Sequence, residues 1–515
     1  MEFLKKTTTS QYGSPRSNGS IGRPHSSKIK KSHQRNKYLT FWFRESQLNS
    51  TDLWNLLLLT FFALATRFWR LFYPAAVVFD EFHFGKFVTW YFKHQYYFDI
   101  HPPLGKLILY LGGLLGGYNP GFLYDAIGAE YGDTKFQVLR SVSALFGVLS
   151  VPLMYLTCRE LDISSVGSFA GASMVLLDFL SLIESRLILV DSQLLFFCMA
   201  SFYSALKLWK CKKENCKRSF LFFLVLTGLL CGCAISVKWT ALATPGIIAI
   251  VSFFGLHFLK EPLEIWECLI AGLSGIFVYL FVFYVHFQLL PYSGSGDAFM
   301  TPEFQKTLIG NPFYHPAATR QPFLTSFFQL NREMFRANKG IKDRHPWESK
   351  WYEWPLNLRG LLYFVQEDDE DESRMSQIYL IGNPAVMYLC LLSALTFLLC
   401  AIFFGRYRYT ISSKADLRSL MEKGCILCGA YALNLLPYVA VERSAFLYHY
   451  IPGLFYAELL TALVIDRFPK SYKFAFIIVI LILEVVAFVY WAPWVYAISL
   501  TKIAHDKRRW LPRWN

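Results

Sequence analysis

Charge is scarce in this 515-residue chain. Asp, Glu, Lys and Arg make up 17% of it, against 54% hydrophobic and 18% aromatic residues. A soluble chain of this size would need more polar surface, so long apolar runs organise the sequence as one large membrane unit. A disulfide framework is also missing. Of eleven cysteines, nine lie in or beside apolar runs, while Cys211 and Cys216 sit in a basic loop. Cys425-Ile-Leu-Cys428 has the spacing of a metal or redox pair. It lies in an apolar stretch without nearby His partners and reads as two small buried hydrophobes. No cleavable signal peptide opens the chain. Residues 1–50 are Ser-rich with ten Lys/Arg and two acids, the pattern of a disordered basic cytosolic tail before a signal-anchor helix. No basic groove interleaved with aromatics lies outside the apolar runs, which excludes nucleic acid as the partner suggested by the net charge of +14.

What is present is a series of apolar runs, each near the ~20 residues that cross ~30 Å of hydrocarbon. Eleven spans are predicted, over 53–72, 136–157, 164–182, 190–209, 219–236, 240–258, 265–289, 378–404, 420–440, 446–466 and 472–498. Asn55, Arg67 and Arg70 interrupt the first. The fold class is therefore an all-α polytopic membrane protein. Lys and Arg set its orientation. The N-terminal tail, Lys210 to Arg218, Arg406 to Arg418 and Asp466 to Lys473 fall on one side, read as cytosolic. Two large loops, 73–135 and 290–377, then face the lumen. The C-terminal tail dissents. Its Lys502, Lys507, Arg508, Arg509 and Arg513 would also be lumenal, so either the tail is an exception or the count is off by one. The domain reading is a tail over 1–50, an N-terminal catalytic membrane module over 51–300, a second loop over 301–377 and a C-terminal membrane module over 378–515. The acidic run Glu367 to Glu372 reads as a solvated loop.

The strongest chemical signal lies in the first loop, in Val77-Val-Phe-Asp80-Glu81-Phe-His83-Phe-Gly85. Carboxylates beside a membrane are costly unless paired or functional. Three roles are open to this pair: general base, metal ligand, or ion-pair partner of Arg67 and Arg70. A carboxylate that takes a proton from a hydroxyl makes that hydroxyl a better nucleophile. Adjacent side chains point in different directions on a helix or a strand, so Asp80 and Glu81 do not share one job. In Asp99-Ile-His101-Pro-Pro-Leu-Gly-Lys106, the two prolines set an extended stop before a helix. His101 either donates to substrate or caps that helix, and Lys106 is placed to face a lipid phosphate. Arg140, Arg186, Lys238 and Arg443 recur near span ends on one face, the arrangement of an anion site. A phosphate leaving group needs its charge neutralised, and Arg and Lys are preferred to a metal because no clean Asp-x-Asp signature occurs. The second loop adds Ser293-Gly-Ser-Gly-Asp297 and an aromatic cluster, His345-Pro-Trp-Glu-Ser-Lys350-Trp-Tyr-Glu-Trp354-Pro355. Such rings stack on sugars or line membrane interfaces.

Taken in order, Phe79 to Gly85, Asp99 to Leu104, Arg186 to Asp191, Gly232 to Trp239, Ser293 to Gln305, His345 to Pro355, Ile381-Gly-Asn-Pro384 and His449-Tyr-Ile-Pro452 resemble the protein O-mannosyltransferase family. These are the dolichyl-phosphate-mannose–protein mannosyltransferases of the GT-C fold. The resemblance implies an inverting transfer of mannose from dolichyl phosphate mannose to Ser/Thr hydroxyls of secretory-pathway proteins. By that resemblance Asp80 is the base, Glu81 supports acceptor binding and Arg140 is needed for activity. His101, Lys106, Arg186, Lys238, His345 and Arg443 are candidates for the donor phosphate or substrate. It also implies an endoplasmic reticulum membrane location with the N-terminus cytosolic and the active site lumenal. Homo- or heterodimers with a family member are implied, with no obligatory metal or cofactor. One departure stands out. Eukaryotic members carry a β-trefoil MIR insert in the second loop, and the fewer than ninety residues of 290–377 leave no room for it.

Three other readings compete. The chain could be a related enzyme with another lipid-linked sugar or acceptor, a non-catalytic paralogue or partner subunit, or a transporter. Intact Asp80, Arg140 and His345 argue against the second. Charges gathered on one face rather than mid-span argue against the third.

Overall fold

In the computed structural model, residues 48–256, 261–411 and 415–514 are described. The basic tail, residues 1–47, therefore lies outside them, together with most of the first of two units, Met1–Thr51 and Asp52–Asn515. The apolar runs become helices. The first ten are α1 (Ser50–Phe68), α2 (Glu81–Phe92), α3 (Leu104–Gly116), α4 (Phe136–Glu160), α5 (Ser165–Leu177), α6 (Phe179–Glu184), α7 (Asp191–Lys213), α8 (Lys217–Val237), α9 (Ala243–Phe254) and α10 (Ile265–Leu289). After these come α11 (Phe323–Gly340), strands β1 (Leu361–Glu367) and β2 (Arg374–Leu380), α12 (Pro384–Ile411), α13 (Ala415–Leu435), α14 (Ile451–Ile465), α15 (Lys470–Tyr496), β3 (Leu500–Thr501) and α16 (Lys502–Asp506).

Seven helical segments among the described residues are long and apolar enough to cross a membrane. Burial sorts them. Of α7's most apolar stretch 78% is buried against 11% of α10's, so α7 is central and α10 peripheral. The short α14 is also central, with every residue but Val464 buried. The span predicted over 164–182 is two helices. At the break, Asp178 leaves helical geometry with ψ 134° and its side chain accepts from the Ser181 N–H, capping α6.

One face of the bundle carries the tight basic turns. Lys207 and Lys210 pair with Glu160 at 2.9 and 3.7 Å, and Lys212 with Glu267 at 2.7 Å. On the same face Asp466 accepts from the Ser164 N–H at 3.1 Å and pairs with Lys473 at 3.0 Å.

The other face carries a small sheet beside the expected helical bundle. β1, β2 and β3 form an antiparallel sheet in that order, with Leu361 opposite Leu380 and Arg374 opposite Thr501. The span predicted from 378 begins in β2, and its helix starts only at Pro384. There Asn383 accepts from the Ala385 N–H at 3.0 Å, and Pro384 has no N–H to leave unsatisfied. The C-terminal tail joins this sheet through β3. Trp514, 1% exposed, donates from Nε1 to the Asn357 carbonyl at 2.7 Å, and Arg513 pairs with Glu353. The tail is therefore packed on the second loop and lies on the same side as it. Among the described residues no disulfide forms, and of the pair predicted buried Cys425 is exposed and Cys428 half-buried.

Candidate functional site

The two adjacent acids of the first loop have separate fates. Glu81, the first residue of α2, is fully buried. Its Oε1 accepts from Arg140 Nε at 2.7 Å and from the Ile188 N–H at 2.9 Å. Its Oε2 accepts from Arg140 Nη2 at 2.8 Å, the Val78 N–H at 2.9 Å and Tyr131 Oη at 3.0 Å. Arg140 is equally buried, and its remaining N–H groups donate to the carbonyls of Leu71, Pro74 and Ala76 at 3.2, 2.8 and 3.2 Å. Glu81 is thus an ion-pair partner, but of Arg140 and not of Arg67 or Arg70. Arg67 donates to the Leu176 and Val175 carbonyls at 2.7 and 2.8 Å, and Arg70 lies over Tyr73 at 4.7 Å.

Asp80 occupies the N-cap position of α2 without capping it, and its carboxylate accepts no hydrogen bond among the described residues. The carboxylate borders a cavity of about 620 Å³ whose wall includes Phe82, His83, His345, Trp347, Tyr363 and Tyr448. Burial pushes its pKa up to about 6, with His83 and Lys238 pulling down and Asp191 and Asp99 pushing up. A carboxylate so placed is ready to accept a proton near neutral pH.

Behind Asp80 lies a set of charged groups drawn from distant parts of the chain. Lys238, at the C-terminal end of α8, pairs with Asp191 at the start of α7 at 2.7 Å, both nearly buried. Lys238 also lies 5.3 Å from the Tyr448 ring centroid. Lys106 bonds to Asp99 and donates to the His101 carbonyl at 2.7 Å. The His101 ring does not cap α3, whose N-terminus has no side-chain cap. Burial and the charges of Lys238, Lys106 and Arg443 hold His101 neutral, well below the usual histidine range. His449 is held neutral in the same way, by burial with Arg443 and Lys238.

Of the sequence-derived candidates, Asp80 and His345 line one cavity, and Lys238 acts on Asp80 through its charge. His101, Lys106, Lys238 and Arg443 share one electrostatic neighbourhood. Arg443 borders a second, basic cavity of about 530 Å³ with Lys339, Lys342, Arg344 and Lys350. Arg186 is not brought to this site. Its guanidinium, 4% exposed, donates to the carbonyls of Thr66, Arg67, Trp69 and Arg70 and lies 4.4 Å from the Tyr496 ring centroid. Residues given no site role from the sequence are Asp99, Asp191 and His449, which lie in quoted motifs, and Glu184, Tyr363 and Tyr448. For Glu184 and Asp191 a signal existed, since each is a carboxylate in a long apolar stretch.

The arrangement is a carboxylate on a cavity beside a helical bundle, backed by cations and lined with aromatic rings. That is the architecture of a GT-C-type polytopic membrane protein. A chain of the Saccharomyces cerevisiae protein O-mannosyltransferase Pmt1-Pmt2 complex bound to the sugar donor superposes on it with a TM-score of 0.81 at 19% identity, over 91% of this chain and 93% of that one.

Residues 57–291 match the family model for dolichyl-phosphate-mannose-protein mannosyltransferase, and residues 323–514 match that for the C-terminal four-transmembrane region of protein-O-mannosyltransferase. The chain belongs to the protein O-mannosyltransferase family. Dolichyl-phosphate-mannose–protein mannosyltransferase 4 of Saccharomyces cerevisiae is 36% identical over 269 residues, 50% of this chain and 35% of that relative. Protein O-mannosyl-transferase 1 of Rattus norvegicus is 35% identical over 269 residues, 50% of this chain and 36% of that relative. The matched region thus spans about a third of each of these relatives.

Proposed function

We propose that this protein transfers mannose from dolichyl phosphate mannose to Ser or Thr hydroxyls of proteins. The observation that carries the reading is the unpaired Asp80 carboxylate, pushed up to about 6, opening on a cavity next to the Lys238–Asp191 pair. In this mechanism Asp80 takes the acceptor hydroxyl proton as the hydroxyl oxygen bonds to the sugar's anomeric carbon. The bond from that carbon to the phosphate oxygen breaks, with inversion, and the lipid phosphate leaves with its negative charge. Lys238, and Arg443 with its basic neighbours, stabilise that charge, because preorganised cations in a partly dry site act strongly on a developing anion. Glu81 and Arg140 serve from behind, by fixing the loop that carries Asp80. Membership of the family supports a multi-pass chain of the endoplasmic reticulum, with this face lumenal, working as a dimer with a family member.

The test is transfer of radiolabelled mannose from dolichyl phosphate mannose to a Ser/Thr-rich peptide, by membranes carrying the wild-type chain or Asp80→Asn. Transfer by wild type alone supports both the activity and its base. Equal transfer by the variant removes Asp80 as base, and absence of transfer by both, with a family member co-expressed, removes the activity.

A further inference from the structure

Asp80 is held between two anchored neighbours. On one side is Glu81, clamped by Arg140. On the other is Phe79, whose backbone lies in the left-handed region at φ +47°. An aromatic residue gains nothing from that conformation, which persists only where surrounding structure imposes it. The turn is closed by the Glu81 N–H on the Val78 carbonyl at 2.9 Å, and the Phe79 ring is held from the second loop. The Phe79 ring stacks on Tyr363 of β1, with centroids 4.1 Å apart and planes 13° from parallel, and meets Tyr448 edge-on at 6.3 Å. Tyr363 is 3% exposed, and its hydroxyl donates to Glu184 at the end of α6, itself 1% exposed. Tyr363 therefore fastens three parts of the chain at one point: the strand of the second loop, the end of α6 and the residue before Asp80.

We propose that Tyr363 is a positioning residue for Asp80: its stacked ring keeps Phe79 left-handed, and so aims the Asp80 carboxylate into the cavity. The inference rests on the reading of Asp80 as base. The dihedral angles of Phe79 set the plane of the peptide entering Asp80. If the ring were free to leave Tyr363, Phe79 would relax to an ordinary backbone region and swing that peptide away from the cavity. Glu81 ties its own position to Val78 through its carboxylate and its N–H, while the Phe79 ring is held separately, by Tyr363 and Tyr448. The Tyr363 ring is also part of the apolar cover over the carboxylate. The charged groups around Asp80 are His83, Asp99, Glu184, Asp191 and Lys238, and of these Glu184 is the one bonded to Tyr363.

The experiment compares the full chain in membranes as wild type, Tyr363→Phe, Tyr363→Ala and Asp80→Asn. It measures kcat, KM for the lipid donor, the pH–rate profile and the protease-resistant fraction. Tyr363→Phe keeps the ring, so kcat stays within a few-fold of wild type with the acid limb in place. Tyr363→Ala loses on the order of 100-fold in kcat, the scale of a misplaced reacting group. Its donor KM is unchanged, and its acid limb shifts to lower pH as water reaches Asp80. Should Tyr363→Ala fold poorly, Phe79→Leu removes the stack while leaving Tyr363 on Glu184, and the same loss and shift are expected. Wild-type kcat per folded chain in both stack-removing variants overturns the inference, as does a loss with the limb unmoved. Activity in Asp80→Asn removes the base itself, a failure distinct from that of Tyr363.

Discussion

Arg140 grips Glu81 with two nitrogens, Nε at 2.7 Å and Nη2 at 2.8 Å, and neither residue is exposed. Removing one partner of such a pair strands a charge in the interior, at a cost of about 3–5 kcal/mol. Arg140→Ala and Glu81→Gln are therefore expected to lower the unfolding temperature of the detergent-solubilised protein, and to lower activity in proportion to the folded fraction. A Glu81→Gln protein of normal stability with a raised KM for acceptor peptide would instead place Glu81 against substrate.

The transfer rate should rise with pH through about 6 and level off above it, because the base works as a carboxylate and burial has raised its pKa to that value. Below the midpoint the rate falls roughly tenfold per pH unit. An acid limb near 4 would mean that Asp80 is better hydrated than its surroundings suggest.

Charges near Asp80 should move that limb in opposite directions. Lys238 lowers the Asp80 pKa and Asp191 raises it. Lys238→Met is expected to shift the limb upward and to raise KM for the lipid donor, while Asp191→Asn shifts the limb downward. The pH–rate profiles of the two variants check this.

Arg186 makes its hydrogen bonds to backbone carbonyls at the end of α1 and just beyond. Arg186→Lys lacks the fork needed to reach several carbonyls at once. The expected result is lower thermal stability with donor KM unchanged. A large rise in donor KM at normal stability would return Arg186 to the list of phosphate ligands.

Seven of the eleven predicted spans were legible, because hydrophobic length is a local property readable without knowing what each helix packs against; the other four fall short of that length or apolarity among the described residues. The sheet was not legible. All residues from Ser376 to Leu380 are buried. A strand covered on both sides has no alternation to distinguish it from the start of an apolar helix, so β2 merged with the span that follows it. The acidic run read as a solvated loop is the turn of that same hairpin, mostly exposed. At the site, the unusual chemistry of Asp80-Glu81 and separate roles for the two acids were visible in the sequence, and the partner of Glu81 was not. Glu81 finds its partner 59 positions away, whereas proximity along the chain pointed to Arg67 and Arg70. Arg186 misled for a related reason. A cation near a span end has the same sequence signature whether it meets phosphate or folds back on carbonyls.

The small sheet also imposes an order on biosynthesis. β2 pairs with β1 on one edge and with Leu500–Thr501 on the other, and Trp514 seals the same region against Asn357. A ribosome adding 5–20 residues per second needs on the order of ten seconds to travel from β1 to β3. During that interval β1 and β2 lack their third strand and Tyr363 sits in an unfinished sheet. Residues 500–514 must therefore be translated before this sheet is complete, and a chain stopped short of them is expected to lack the finished sheet under Tyr363.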